Sequence, residues 1–183
     1  HQPSLAAPLA GLGTSPTGAQ EAELQVDDGT FERNVGYPNG AADVLFVNRL
    51  TPASYPVTLK RVRIYLPDTD NGVQLGNTVG VVVGLVPSAA ELTATSVRPV
   101  RVVLVLKLGQ WLEVDVPQQT VLAGTDIVVG FSASQAEGET PAALDTSGYS
   151  QSRSFGSANS GPMVSISRFT GISGNLAIRA VVA

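Results

Sequence analysis

Asp68-Thr69-Asp70-Asn71-Gly72 is the segment whose residue types and spacing best fit metal chemistry. Two carboxylates two residues apart, an amide oxygen and a turn-forming glycine suit a hard cation such as Ca²⁺. The ligands would be Asp68, Asp70 and Asn71. The segment is not an EF-hand loop, because no third ligand follows at the right place and no Glu closes it. Further oxygens would have to come from elsewhere, Asp27 or Asp28 among them. The same five residues also read as a polar turn leaving a strand. Ca²⁺ is the only cofactor these residues suggest.

Acid–base and nucleophilic chemistry find little support. The chain has one His, at position 1, and no Cys. A Ser-His-Asp triad needs an internal His to shuttle the proton, and there is no Gly-x-Ser-x-Gly elbow. A copper site built on His1 would need a second His. Leu144-Asp145-Thr146-Ser147-Gly148 resembles the turn of aspartic proteases only loosely. A Ser interrupts it, and the two-carboxylate mechanism needs a second copy. Asp145 and Gly148 read instead as turn residues. The chain is therefore read as non-enzymatic.

Aromatic residues offer a different chemistry, stacking against sugars. The candidates are Trp111 and Tyr65, with Tyr37, Tyr55 and Tyr149 beside them. In Trp111-Leu112-Glu113-Val114-Asp115-Val116 the apolar positions alternate, which puts Trp111 on the polar face. Tyr65 likewise lies opposite Val62 and Ile64. Aromatics make up only 5% of the chain, so any platform is small.

The elements that position these residues follow from period-two patterning. Ala22, Leu24 and Val26 alternate with polar neighbours, and residues 42–50 form an apolar strand. In residues 57–66 the apolar phase slips: Val57 and Leu59 are odd, Val62, Ile64 and Leu66 even. One extra residue near Lys60–Arg61 predicts a β-bulge. Residues 78–86 look buried on both faces, with Gly80 and Gly84 allowing close packing. Residues 99–107 and 111–117 are expected to form a hairpin around Gly109. Residues 126–133, 163–168 and 175–182 supply further strands. The one helical signal is a turn at Ser88–Leu92 capped by Ser88. Residues 134–161 read as a long polar loop with one or two edge strands within 143–153. Eight to ten strands with short connections imply an all-β fold, an antiparallel β-sandwich.

Residues 1–20 are rich in Ala, Pro, Gly and Ser and lack either period, so they read as an arm or linker before a domain at 21–183. His1 in the first position implies processing or excision from a longer polypeptide. Charged residues are 14% of the chain, below the roughly 25% usual for globular domains. The surface must then be kept wet by Ser, Thr, Gly, Asn and Gln, a style common outside cells. Net charge is −4, and Lys60, Arg61 and Arg63 form the only dense basic group. Nucleic acid is not an expected partner. No apolar run is long enough to span a membrane.

Three segments together carry a resemblance. They are Asp27-Asp28-Gly29-Thr30-Phe31-Glu32, Tyr55-Pro56-Val57-Thr58-Leu59-Lys60-Arg61-Val62-Arg63-Ile64-Tyr65 and Gly174-Asn175-Leu176-Ala177-Ile178-Arg179-Ala180. The chain resembles β-sandwich accessory domains of secreted bacterial proteins, of the kind appended to extracellular peptidases and surface proteins. Leu176 and Ala177 stand where such domains carry an aromatic and Met. The resemblance implies a jelly-roll-like sandwich, an extracellular or cell-surface setting and a non-catalytic role, and it assigns no functional residue. The expected function is a binding, adhesion or accessory module that meets a protein or glycan surface. The alternative is a structural subunit of a surface assembly or filament, self-associating through residues 1–20.

Overall fold

Thirteen strands run through residues 20–148 and 152–183, which the computed structural model describes. They are β1 (Ala22–Leu24), β2 (Arg33–Val35), β3 (Ala42–Leu50), β4 (Val57–Leu66), β5 (Thr78–Pro87), β6 (Arg98–Leu104) and β7 (Gln110–Val121). β8 (Thr125–Gln135), β9 (Ala142–Asp145), β10 (Ser154–Ala158), β11 (Val164–Ser165), β12 (Asn175–Leu176) and β13 (Ile178–Val182) follow. Nine have four residues or more, which accounts for the eight to ten expected. His1, Tyr149 and the arm up to residue 19 lie outside the described residues.

All pairings are antiparallel. A four-stranded sheet runs β1-β13-β4-β7 and a six-stranded sheet β11-β10-β3-β8-β5-β6, with a small third sheet β12-β9-β2. The inward residues of the two large sheets form one core. From the first come Leu59, Val62, Ile64, Leu66, Leu112, Val114 and Ile178, and from the second Phe46, Val81, Val83, Ile127, Val129 and Phe131. The fold is an antiparallel β-sandwich.

The phase slip in β4 is real. Against β13, Arg61 pairs with Val181 and Leu59 with Val182, so Lys60 is the extra residue. Against β7 the surplus lies on the other strand: Leu59 faces Gln119 and Arg61 faces Asp115. Pro117 sits in that β7 bulge, where its missing N–H costs no ladder bond. The slip keeps Leu59, Val62, Ile64 and Leu66 all inside.

β5 buries both faces, as expected. Val79, Val81 and Val83 enter the main core, while Val82 and Val86 join Val47, Leu92 and Val128 in a second cluster. That cluster is roofed by the segment after β5. Arg49 anchors the segment, donating to the carbonyls of Pro87, Ser88 and Ala90 at 2.7–3.0 Å and to Asp126 at 2.7 Å.

Four expectations are corrected. β6 and β7 do not form a hairpin: β6 pairs with β5 and β7 with β4, so each is the edge of a different sheet. The chain crosses between sheets at residues 105–109. There Val105 exchanges backbone bonds with Gly76 and Asn77, and Gly109 N–H donates to Leu66. Residues 134–161 are not mainly a loop: β9 is buried throughout, and β10 lies inside the six-stranded sheet. Ser88 caps no helix; its hydroxyl donates to Asp126. A single 3-10 turn spans Ala94–Ser96, and the α-helix of the described residues is α1 (Ile166–Thr170), capped by Ser165 and stopped by Gly171 at φ 82°. It interrupts the strand expected at 163–168 so that Phe169 can pack edge-on against Phe46 at 5.8 Å.

The last strand changes sheets. β12 pairs with β9 and β13 with β4, and Ala177 bridges them through bonds to Ala143 and Tyr65. Asn48 steadies the changeover from below, its Nδ2 donating to the carbonyls of Leu176 and Ile178 at 2.8 Å each.

Candidate functional site

Tyr65 and Trp111 are direct cross-strand partners on β4 and β7. Neighbours across a sheet share a face, so both side chains stand on the outer side of the four-stranded sheet. Their ring centroids are 5.7 Å apart and the rings are edge-on. Phe31, from the loop between β1 and β2, completes the group at 4.8 Å from Tyr65 and 5.8 Å from Trp111. All three rings are half-buried. The face opposite the core was legible in the alternation; Phe31 was not, since its loop carries no period.

Two arginines hold the indole. Arg179 on β13 places its guanidinium carbon 4.2 Å from the Trp111 ring centroid, and Arg63 on β4 places its own at 4.9 Å. Such cation–π contacts are worth about 0.5–2 kcal/mol each. Arg179 is in turn fixed by Asp27, with a Nε donation of 3.1 Å, and by Glu23. Arg63 bonds Glu23, and Arg61 bonds Glu21 and Glu113. Arg61 and Arg63 of the dense basic group are thus matched by acids on or beside neighbouring strands, and the Arg61 hydrogen bond holds Glu21 below its ordinary pKa.

A second cluster adjoins this face. Carboxyl oxygens of Asp28, Glu32 and Asp145 all lie within 4.8 Å of one another. Asp28 sits in the turn after β1, Glu32 just before β2, and Asp145 ends β9. Ser147 binds them together: its hydroxyl lies 2.6 Å from Asp28 Oδ2 and 2.7 Å from Asp145 Oδ1. Thr146 and Ser147 N–H both donate to Glu32 Oε1. The Ser147 hydroxyl, with Thr30, holds Asp28 down at about 2. Glu32 is also below its ordinary value, chiefly through Thr30. Asp27 and Asp28 do cap backbone N–H groups, of Gly29 and Thr30.

The structure places the other candidates apart from this face. Asp68, Asp70 and Asn71 occupy an exposed turn, where Asn71 O accepts from Thr140 N–H and Gln74 Nε2 donates to the Thr69 and Gly72 carbonyls. Among the described residues, no third His, Asp or Glu joins them. Tyr37 stacks on Phe169 at 5.3 Å, and Tyr55 donates its hydroxyl to Thr125 O.

Neither a family model nor a curated protein sequence matches the chain. One solved structure is similar: that of the cysteine protease and lectin-like domains of Cwp84, a surface layer associated protein of Clostridium difficile. The TM-score is 0.57 at 13% identity, over 77% of this chain and 32% of that one. The likeness is one of fold. It falls on the lectin-like domain and shows a β-rich fold. This chain spans about a third of the length of that one. Among the described residues, no helix is long and apolar enough to cross a membrane.

Proposed function

We propose that this chain is a non-catalytic binding module working outside the cell or at its surface, and that it holds a glycan on the outer face of the four-stranded sheet. The observation that carries this reading is the contact of Phe31, Tyr65 and Trp111 on one outward face. Aromatic rings offer large apolar area beside polar tips, which suits the mixed surface of a sugar ring. Arg179 and Arg63 hold Trp111 in place before any ligand arrives, which lowers the entropy lost on binding. The single His at position 1 and the lack of Cys support a role without acid–base or thiol chemistry. The lectin-like likeness supports the surface setting.

A glycan array with the wild-type chain and Trp111→Ala tests it. The expected result is binding to a defined set of glycans, weakened tenfold or more in the variant, or about 1.4 kcal/mol. Equal binding by a folded Trp111→Ala protein sinks the reading.

A second reading, a structural subunit that self-associates, is favoured by the β6 edge. Val102 and Leu106 are each 75% exposed, Leu104 51% and the nearby Leu75 60%. An unpaired apolar edge of this kind is suited to strand addition. Its proposed occupant is the arm of a second copy, residues 1–20, which carries Leu5, Leu9 and Leu12. Size-exclusion chromatography should show an oligomer for the full chain and a monomer without residues 1–20; a monomer in both cases refutes it.

A further inference from the structure

We propose that Asp28, Glu32, Asp145 and Asn175 form a binding site for a hard divalent cation, calcium. The site is independent of the aromatic face and distinct from the Asp68–Asn71 turn.

Three carboxylates within 4.8 Å of one another repel, and among the described residues no Lys or Arg forms an ion pair with any of them. Hydrogen bonds from Ser147, Thr146 and Thr30 hold them together, but these carry dipoles rather than a compensating charge. Ser147 shows the shortfall. A hydroxyl has one proton, yet its oxygen lies 2.6 Å from one carboxylate and 2.7 Å from another. Only one of these contacts can be an O–H donation at a time. The other brings two oxygen lone pairs together, which a nearby cation would relieve.

The independent observation is Asn175. Its side chain is buried, the residue being 1% exposed, and its Oδ1 is the one buried side-chain atom without a hydrogen-bond partner among the described residues. Nδ2 fixes the orientation, because it donates to the carbonyls of Val26 and Gly148. Those carbonyls belong to the two segments that carry Asp28 and Ser147. Asn175 is also the direct cross-strand partner of Asp145, so the amide and the Asp145 carboxylate share one face and stand side by side. A buried acceptor left bare is unfavourable. A cation beside the carboxylates is the partner that the oxygen lacks.

The donor set selects the ion. Every candidate ligand is oxygen, three of them anionic and one an amide. Asp28 and Glu32 are exposed, so water can complete the shell. Oxygen-only ligands on an irregular frame of turn, loop and strand end suit Ca²⁺, which takes 6–8 oxygens flexibly, better than Mg²⁺ with its strict octahedron. The hydrogen bonds from Thr146 and Ser147 fall on Glu32 Oε1.

Thermal melting of EDTA-treated protein with added CaCl₂, alongside calorimetric titration, tests the site. A saturable rise in Tm is expected, roughly 5–10 °C at calcium about a hundredfold above the dissociation constant. The rise should vanish in Asp28→Asn/Glu32→Gln and persist in Asp68→Ala/Asp70→Ala. If the first double variant does not fold, calcium heat in the wild type, retained by Asp68→Ala/Asp70→Ala, supports the same assignment. No shift and no heat up to about 10 mM calcium would overturn the proposal, that being well above the affinities of calcium modules outside cells. So would an equal response in the Asp28/Glu32 variant, or loss in the Asp68/Asp70 variant alone.

Discussion

Asp126→Ala is expected to destabilise the domain by about 3–5 kcal/mol, the cost of leaving one partner of a buried ion pair alone. Asp126 is buried on β8 and accepts from Arg49 Nε at 2.7 Å, Thr51 Oγ1 at 2.7 Å and Ser88 Oγ at 3.0 Å. Arg153 lies 3.6 Å away. Without the carboxylate, a guanidinium that also tethers residues 87–90 has no counter-ion. The roof over Val82, Val86 and Val128 should loosen with it. For a domain of this size Tm should fall by roughly 10 °C or more. The pH dependence follows from the same pair. Burial alone would raise the Asp126 pKa, but the hydrogen bonds from Arg49, Thr51 and Ser88 outweigh it and the group sits below its ordinary value. A carboxyl depressed on folding adds stability above the unfolded pKa, near 4, and loses it as pH falls through the folded one. Wild type should lose part of its margin over Asp126→Ala below about pH 4. Denaturant melts at pH 7 and pH 3 measure this; a margin unchanged between them contradicts the account.

Gly130→Ala is expected to cost about 3 kcal/mol or more. Gly130 lies mid-way along β8, between Val47 of β3 and Val82 of β5. A Cβ there would overlap the Phe46 carbonyl oxygen and sit 2.7 Å from Val47 Cα. Both obstacles are backbone of a paired strand, so neither can turn aside as a side chain would. Gly156→Ala is the comparison: its Cβ meets the Phe169 ring, which belongs to the short α1 and can shift. Urea midpoints should fall much further for Gly130→Ala. A variant within about 0.5 kcal/mol of wild type would mean that β3 and β8 separate more easily than their packing implies.

Strand identity was legible in the sequence where one face is apolar. The β4 phase slip, the double burial of β5 and the outward placing of Tyr65 and Trp111 all follow from period two. Strand partners were not legible. β6 and β7 have hairpin spacing, yet each completes a separate sheet, because alternation reports a face and says nothing of the neighbour. β9 was hidden for another reason: Ala142–Asp145 is too short and too small-chained to show a period. The carboxylate group was out of reach for a third. Asp28 and Asp145 lie 117 positions apart, and only the pairing of β12 with β9 beside the first turn brings them together. Asn175 was visible only as part of a resemblance, and its bare oxygen is a property of packing.

The changeover of the last strand has a consequence for how the domain is made. β13 lies between β1 and β4, so the middle of the four-stranded sheet is filled by residues 178–182. Until those residues leave the ribosome, β4 has an open side and β1 has no partner strand among the described residues. Pairings this distant in sequence form late and slowly. The four-stranded sheet therefore cannot close until residues 178–182 are available to pair.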